Sequence, residues 1–552
     1  MIFVALNWIY IVITIFLCGF ASAKLVKKTF GYQMENLTEL LFFGLASVTV
    51  YAQLFSLFGG VGIAANVLLA AACIFTAAAW RREIAIFLAG KLRAQSALYK
   101  ITIVILTCIW CYCTSRGYMH YDSDLYHAQS IRWIEEYGIV KGLGNIHVRF
   151  AYNSSFFALS ALYSMNSIAG QSLHTVNGFI ALLLSVEVLK GVKRHFVLSD
   201  FARLGAFYYL TLIYREIVAP ASDYCTMCVV FFIIIRWLSC LEAQEKRTAP
   251  YALLCVMCVY AVTLKLTTGV LLLLLVKPAY ALIKEKRYRE TVWYFLLGLT
   301  VLVPWIIRTA LISGYLLYPF PALDVLDVDW KIPAGQAALD AAEIKTWGRG
   351  LKNAALVGLP IWEWFPQWFR TVLPATGRLL ILADIGCIVV FTGFAVYLGA
   401  KAMQGEKVRG GADRFLVLAS VAASYLFWQL SAPLLRYGYA YVLLLITLTV
   451  GILYCKAAKN GYLLCCVAAV LVTAKTISLA GYMLDTAKTP FYIAQQDYGV
   501  YDLDSFEAGG TTFYYPESGD RVGYVNFPAI PQKKEIVFRG AHIKNGFRSS
   551  GK

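Results

Sequence analysis

An all-α polytopic membrane fold of about 14 transmembrane helices is what this sequence predicts. Three observations lead there. Of the 552 residues, 60% are hydrophobic and only 15% are charged, where soluble domains carry roughly a quarter charged. The apolar residues come in continuous blocks, many near the ~20 residues a helix needs to cross ~30 Å of hydrocarbon. The gaps between blocks are cation-rich at every second position, the asymmetry of loops retained on the inner side. The net charge of +17 therefore reports topology. A nucleic-acid partner would need the cations clustered on one soluble face, and they are not.

Taken in order, the first helix runs from Met1 to about Ala23 and is followed by Lys24, Lys27 and Lys28, which puts the N-terminus outside. A signal peptide would carry its cations before the apolar run. Blocks at about 38–58 and 60–80 follow, then the basic stretch Arg81, Arg82, Lys91, Arg93 and Lys100, then an outward block at about 101–115. Further helices are expected near 174–192, 203–219, 222–240, 250–264, 266–283, 292–312, 379–400, 414–433, 437–455 and 462–484, with boundaries good to about 2–4 residues. Their inner loops carry Lys190/Lys193/Arg194, Lys246/Arg247, Lys284/Lys286/Arg287/Arg289, Lys401/Lys407/Arg409/Arg414 and Lys456/Lys459. The 14 cysteines all fall within or at the ends of apolar blocks. They read as small core residues, including Cys225-x-x-Cys228, and no disulfide framework is indicated.

The alternation leaves three polar segments outside: about 116–172, about 313–378 and the tail from about 485 to 552. Residues 1–484 thus form one transmembrane domain, and 485–552 a small β-rich outer appendage with strand-like runs at Gly523-Tyr-Val-Asn-Phe and Glu535-Ile-Val-Phe-Arg. In the first outer segment Ile131, Trp133, Ile134 and Tyr137 mark an amphipathic helix. In the second, Trp362, Trp364 and Trp368 with Phe365 and Phe369 suit a helix lying in the headgroup layer.

The chemistry concentrates in His120-Tyr-Asp122-Ser-Asp124-Leu-Tyr126-His127, just after the fourth helix leaves the membrane. Asp122 and Asp124 can share a divalent cation such as Mg²⁺ or Mn²⁺, or one can serve as a general base on a hydroxyl. Arg132 and Arg149 can hold phosphate oxygens. Other polar groups stand at outer helix ends: Asp223 between two helices, Lys265 between two apolar runs, Arg308 before Ser313-Gly-Tyr-Leu-Leu-Tyr318-Pro319, and Arg436-Tyr437. Each alone reads equally well as an anchor that snorkels to the headgroups. Two acids and several cations facing one compartment suit a phosphate-bearing substrate.

The motif Tyr-Asp122-Ser-Asp124-Leu-Tyr126, the stretch Pro304-Trp-Ile-Ile-Arg308 through Pro319, and Ala432-Pro-Leu-Leu-Arg436-Tyr437 resemble the GT-C glycosyltransferase superfamily. The likeness is to bacterial protein O-mannosyltransferase-like and aminoarabinose-transferase-like members. Gly142-Leu-Gly-Asn145 through Asn153-Ser-Ser looks like a bacterial membrane subgroup of this type. The resemblance implies a GT-C-like fold in a bacterial cytoplasmic membrane, with termini and active site on the outer face. The donor would be a sugar on a polyprenyl phosphate, and the acceptor a hydroxyl of a glycan, lipid or protein. Asp122 or Asp124 would take the acceptor's proton or hold a metal. His127, Arg149, Asp223, Lys265, Arg308, Tyr318, Arg436 and Tyr437 would bind substrate or the leaving phosphate. The spacing of Asp122 to Tyr126 mirrors the mannosyltransferase-like pattern and favours Asp122 as base. The main alternatives are a transporter or flippase of lipid-linked glycans, which needs cations but no acid pair at the outer lip, and a glycan polymerase.

Overall fold

Helix after helix of apolar sequence packs around one central rod. The computed structural model describes residues 1–191, 196–404, 410–457 and 462–549. The inner-loop cations Lys193, Arg194, Lys407, Arg409 and Lys459 lie outside the described residues. The rod is Ser222–Glu242, in which Val229 through Ile235 are fully buried. That middle stretch is apolar on every face, and a helix segment of that kind has no side to give to water. The helices Val176–Val188, Leu198–Ile213, Thr248–Leu264 and Leu435–Ala457 pack around it. Phe232 stacks on Phe42 of Leu37–Ser56, with ring centroids 4.0 Å apart.

Sequence signals set several ends. Asn36 accepts a hydrogen bond from the Thr38 amide at the start of Leu37–Ser56, and Ser96 does the same for Tyr99 ahead of Ala97–Ser115, each satisfying an orphan donor of the first turn. The first helix, Ile2–Phe30, ends on Gly31 in the left-handed conformation. It crosses Leu37–Ser56 so closely that a Cβ on Gly44 would lie 1.9 Å from the Ile15 carbonyl oxygen, the close approach small residues permit between membrane helices.

Each of the fourteen apolar blocks falls on helical structure. By length and apolar composition, eight helices among the described residues can cross a membrane, or nine if one bent pair counts as a span. That pair is Ile63–Ala79 and the basic Arg81–Arg93, which meet at 85°. Of the remaining blocks, Val176–Val188, Leu198–Ile213 and Thr248–Leu264 form helices of 13, 16 and 17 residues, while Gly411–Leu430 and Tyr462–Thr486 are longer but are not among the eight. At the ends of the rod and its neighbours remote from Asp223, buried ion pairs lock the bundle. Glu187 binds Lys190 at 2.6 Å and Arg203 at 3.4 Å, and Arg236 binds Glu39 at 2.8 Å.

The polar segments depart from expectation in instructive ways. The amphipathic helix Ala128–Tyr137 is roofed by the tail, with Trp133 packed on Phe527 and Phe547. Of the three tryptophans in Ile361–Thr371 only Trp362 faces outward; Trp364 and Trp368 are buried, and Trp368 donates to the Pro433 carbonyl at 3.0 Å. Two of those tryptophans therefore anchor the helix to protein. The tail pairs Leu503–Ala508 with Thr511–Pro516, and Val537–Phe538 with Phe547–Arg548. Gly523–Phe527, expected as a strand, is irregular. Its carbonyls are taken by side chains: Gln129 Nε2 donates to Gly523 and Asn526, and Arg132 Nη1 to Tyr524 and Val525.

Candidate functional site

Four helix ends bring the predicted polar residues together. Asp223 lies in the first turn of Ser222–Glu242, where a carboxylate complements the positive end of the helix dipole. Lys265 is the extended residue, φ −157° and ψ 122°, at which Thr248–Leu264 stops and the tightly wound Leu266–Leu275 begins. Arg436 opens Leu435–Ala457. Asp122 immediately precedes Ser123–His127, a wide turn in which the Ala128 amide reaches back to the Ser123 carbonyl. Such widened turns recur at functional sites because they re-aim the side chains beside them.

Arg436 is the hub. Its Nη2 donates to Asp122 Oδ2 and, at 3.1 Å, to the Tyr437 hydroxyl. Its Nη1 is 3.2 Å from His120 Nδ1, and its Nε is 3.6 Å from Asp223 Oδ2. Lys265 pairs with Asp223 Oδ1 and stands 3.4 Å from the centre of the Tyr437 ring. Arg149 approaches Asp122 Oδ1 at 3.8 Å. Behind His120 a relay continues: its Nε2 meets the Tyr224 hydroxyl, which donates to Glu216 at 2.9 Å. Three cations, Arg149, Lys265 and Arg436, thus surround two carboxylates, a net charge of +1. The cluster is not sealed, since Asp122 and Lys265 side chains are 19% exposed, Arg436 23% and Arg149 28%.

Burial alone would push the Asp122 carboxyl up, but the Arg436 and Arg149 guanidiniums outweigh it and hold it below the usual range. Asp122 is a carboxylate at neutral pH. His127 is packed against Tyr126 and Phe157, with ring centroids 4.4 and 5.2 Å away. Burial lowers its pKa to about 4, so the imidazole is neutral and its unpartnered Nδ1 carries no charge.

Three predicted site residues point elsewhere. Asp124 faces the tail: Oδ1 accepts from the Gly499 amide at 3.0 Å and Oδ2 from the Tyr501 hydroxyl at 2.8 Å. Its burial outweighs both bonds and raises its pKa. A cation shared by Asp122 and Asp124 does not fit, because arginines hold one carboxylate and the tail holds the other. Among the described residues no group of three or more His, Cys, Asp or Glu side chains is placed to hold a metal. Arg308 is a buried strut with neutral partners, Asn153 Oδ1 at 3.0 Å and Ser56 Oγ. Tyr318 donates to Asp340 at 3.0 Å, beside Tyr152, which donates to the same oxygen at 2.6 Å.

Sequence reasoning missed Glu216, Tyr224, Tyr152 and Asp340. Glu216 and Tyr224 flank the same short connection as Asp223, and that position was their one signal. Nothing in the sequence around Asp340 marks it.

A family model described as a domain of unknown function, DUF8201, matches residues 1–443. The chain belongs to the DUF8201 family. The DUF8201 match contains every member of the Arg436 network, from His120 to Tyr437, and ends before the tail that holds Asp124. No curated protein and no solved structure matches this chain.

Proposed function

We propose that this DUF8201 chain is a membrane glycosyltransferase that moves a sugar from a polyprenyl-phosphate donor to a hydroxyl of a glycan, lipid or protein. In this reading all fourteen helical blocks cross a bacterial cytoplasmic membrane, and the Arg436 network lies at the outer face. Nucleotide sugars are cytoplasmic, so an outer site needs a lipid-carried donor. The observation that carries the proposal is the single guanidinium of Arg436 joined to both Asp122 and Asp223, with Lys265 and Arg149 alongside and the cluster partly open.

The arrangement couples substrate binding to base strength. With its cations in place Asp122 is a weak base. A donor phosphate draws Arg436, Lys265 and Arg149 toward its own oxygens, and Asp122 then gains proton affinity. The acceptor oxygen attacks the anomeric carbon, and its proton passes to Asp122. The bond from that carbon to the phosphate oxygen breaks with its electron pair going to the phosphate. The cations already drawn onto the phosphate when the donor binds stabilise that developing charge. No step uses a metal, and Asp124 acts only by fixing the tail beside the site. The experiment is transfer from polyprenyl-phosphate sugars in nanodiscs by wild type and Asp122→Asn. Loss of about 10²–10⁴-fold is expected for removing a general base. Wild-type turnover in the variant ends the proposal.

A further inference from the structure

A cavity of about 560 Å³ lies away from the Arg436 network, between Ile2–Phe30 and Ile63–Ala79. That volume is within the range of small-ligand sites. Its mouth is apolar and open sideways: Leu6, Ile63, Val67 and Ile168 are 59%, 57%, 61% and 76% exposed. Ile2–Phe30 is a candidate membrane span and Ile63–Ala79 is the apolar half of the bent pair that can count as one, so in the membrane reading this mouth faces hydrocarbon. Water gains nothing in an apolar slot, whereas a lipid chain fills it and restores packing.

The cavity also has polar lining, and this part carries no cation. Asn7, Asn66, Glu135 and Glu136 line it, and no Lys or Arg does. Asn7 donates to the Tyr163 carbonyl at 2.8 Å and to Thr175 Oγ1 at 3.0 Å. Its Oδ1 has no partner although the residue is 5% exposed. Glu135 accepts from Tyr524 and from Ser172 at 3.1 Å. This part therefore offers acceptors and acidic groups. Arg132 stands 4.0 Å from Glu136 but is not among the lining residues, and its Nη1 is spent on the Tyr524 and Val525 carbonyls. A phosphate head group would therefore meet two acidic side chains with no cation lining the slot, while a hydroxyl finds acceptors.

We propose that this slot binds a diacyl lipid whose head group is uncharged and donates hydrogen bonds, with a chain between Ile2–Phe30 and Ile63–Ala79 and the head against Asn7 and Glu135. The inference rests on the membrane reading of the helices and is independent of sugar transfer. The test uses the full chain in nanodiscs with photoreactive diacylglycerol or photoreactive phosphatidylglycerol, mapping labelled peptides. Diacylglycerol is expected to label the two helices about tenfold more than phosphatidylglycerol, the ratio set by one unneutralised charge contact. Ala70→Trp, which fills the slot, should abolish that labelling, while Val389→Trp on the 68%-exposed face of Ala375–Met403 leaves it unchanged. Val67→Trp replaces Ala70→Trp if the latter does not fold. The double variant Glu135→Gln/Glu136→Gln should raise phosphatidylglycerol labelling. Equal labelling by the two lipids, labelling that survives a filled slot, or an unchanged lipid preference in the double variant overturns the proposal.

Discussion

Replacing Asp124 separates the two aspartates that the sequence leaves equivalent. In the structure Asp124 fastens the tail. Its side chain accepts from the Gly499 amide and the Tyr501 hydroxyl, and its carbonyl accepts from the Val522 and Gly523 amides, each at 2.9 Å. Asp124→Ala removes the two side-chain bonds and keeps the two backbone ones. At about 1 kcal/mol net per hydrogen bond, the loss is about 2 kcal/mol, which raises the transiently undocked tail population about 30-fold. Tyr501 is partly exposed and its hydroxyl can turn to water, so most of the cost falls on the Gly499 amide. Asp124→Asn keeps the shape and one acceptor, and it escapes the desolvation of a buried carboxylate that raises the native pKa. It should dock within about 0.5 kcal/mol of wild type. Hydrogen–deuterium exchange across residues 497–525 measures both. Unchanged exchange in Asp124→Ala, or an Asn variant as open as the Ala one, refutes the reasoning.

Other predictions follow from the same geometry. Arg436→Lys should fail to restore donor use lost in Arg436→Ala, because an ammonium cannot span Asp122 and Asp223 as the planar guanidinium does; donor-dependent turnover near wild type in the Lys variant would count against the hub role. Arg308→Met should keep KM for the donor within about twofold and fold normally, since its partners are neutral and removing a buried charge relieves desolvation; a tenfold rise in KM would place Arg308 at the phosphate after all. His127 is neutral when folded, with a pKa of about 4 against about 6.5 unfolded. Its folded pKa is depressed, so as pH falls below about 6.5 the unfolded state takes the proton first and stability drops, by roughly 3 kcal/mol once pH reaches the folded value. His127→Gln should flatten thermal-unfolding midpoints across that window; an unchanged slope would mean that other groups set it.

What the sequence determined by itself was everything carried by local periodicity and composition. The apolar blocks dictated helices, because a long uncharged segment in hydrocarbon must satisfy its own backbone groups. Polar residues interrupting such blocks had to be paired or face water, so Asp223, Lys265, Arg308 and Arg436 could be named as one group with the loop acids Asp122 and Asp124 before their contacts were known. Only the tertiary structure decided their partners. Asp122 and Asp124 are two residues apart, yet one turns to Arg436 and the other to Gly499 and Tyr501, because the wide turn at Ser123–His127 sends adjacent side chains to different elements. Arg308 carries the same charge as Arg436 and also sits at a helix end, but its neighbours are Ser56 and Asn153. Gly523–Phe527 alternates like a strand, yet its carbonyls go to Gln129 and Arg132 about 400 residues earlier in the chain. A hydrogen bond depends on what stands within 3 Å, and across such separations only the packing of the helices sets that distance.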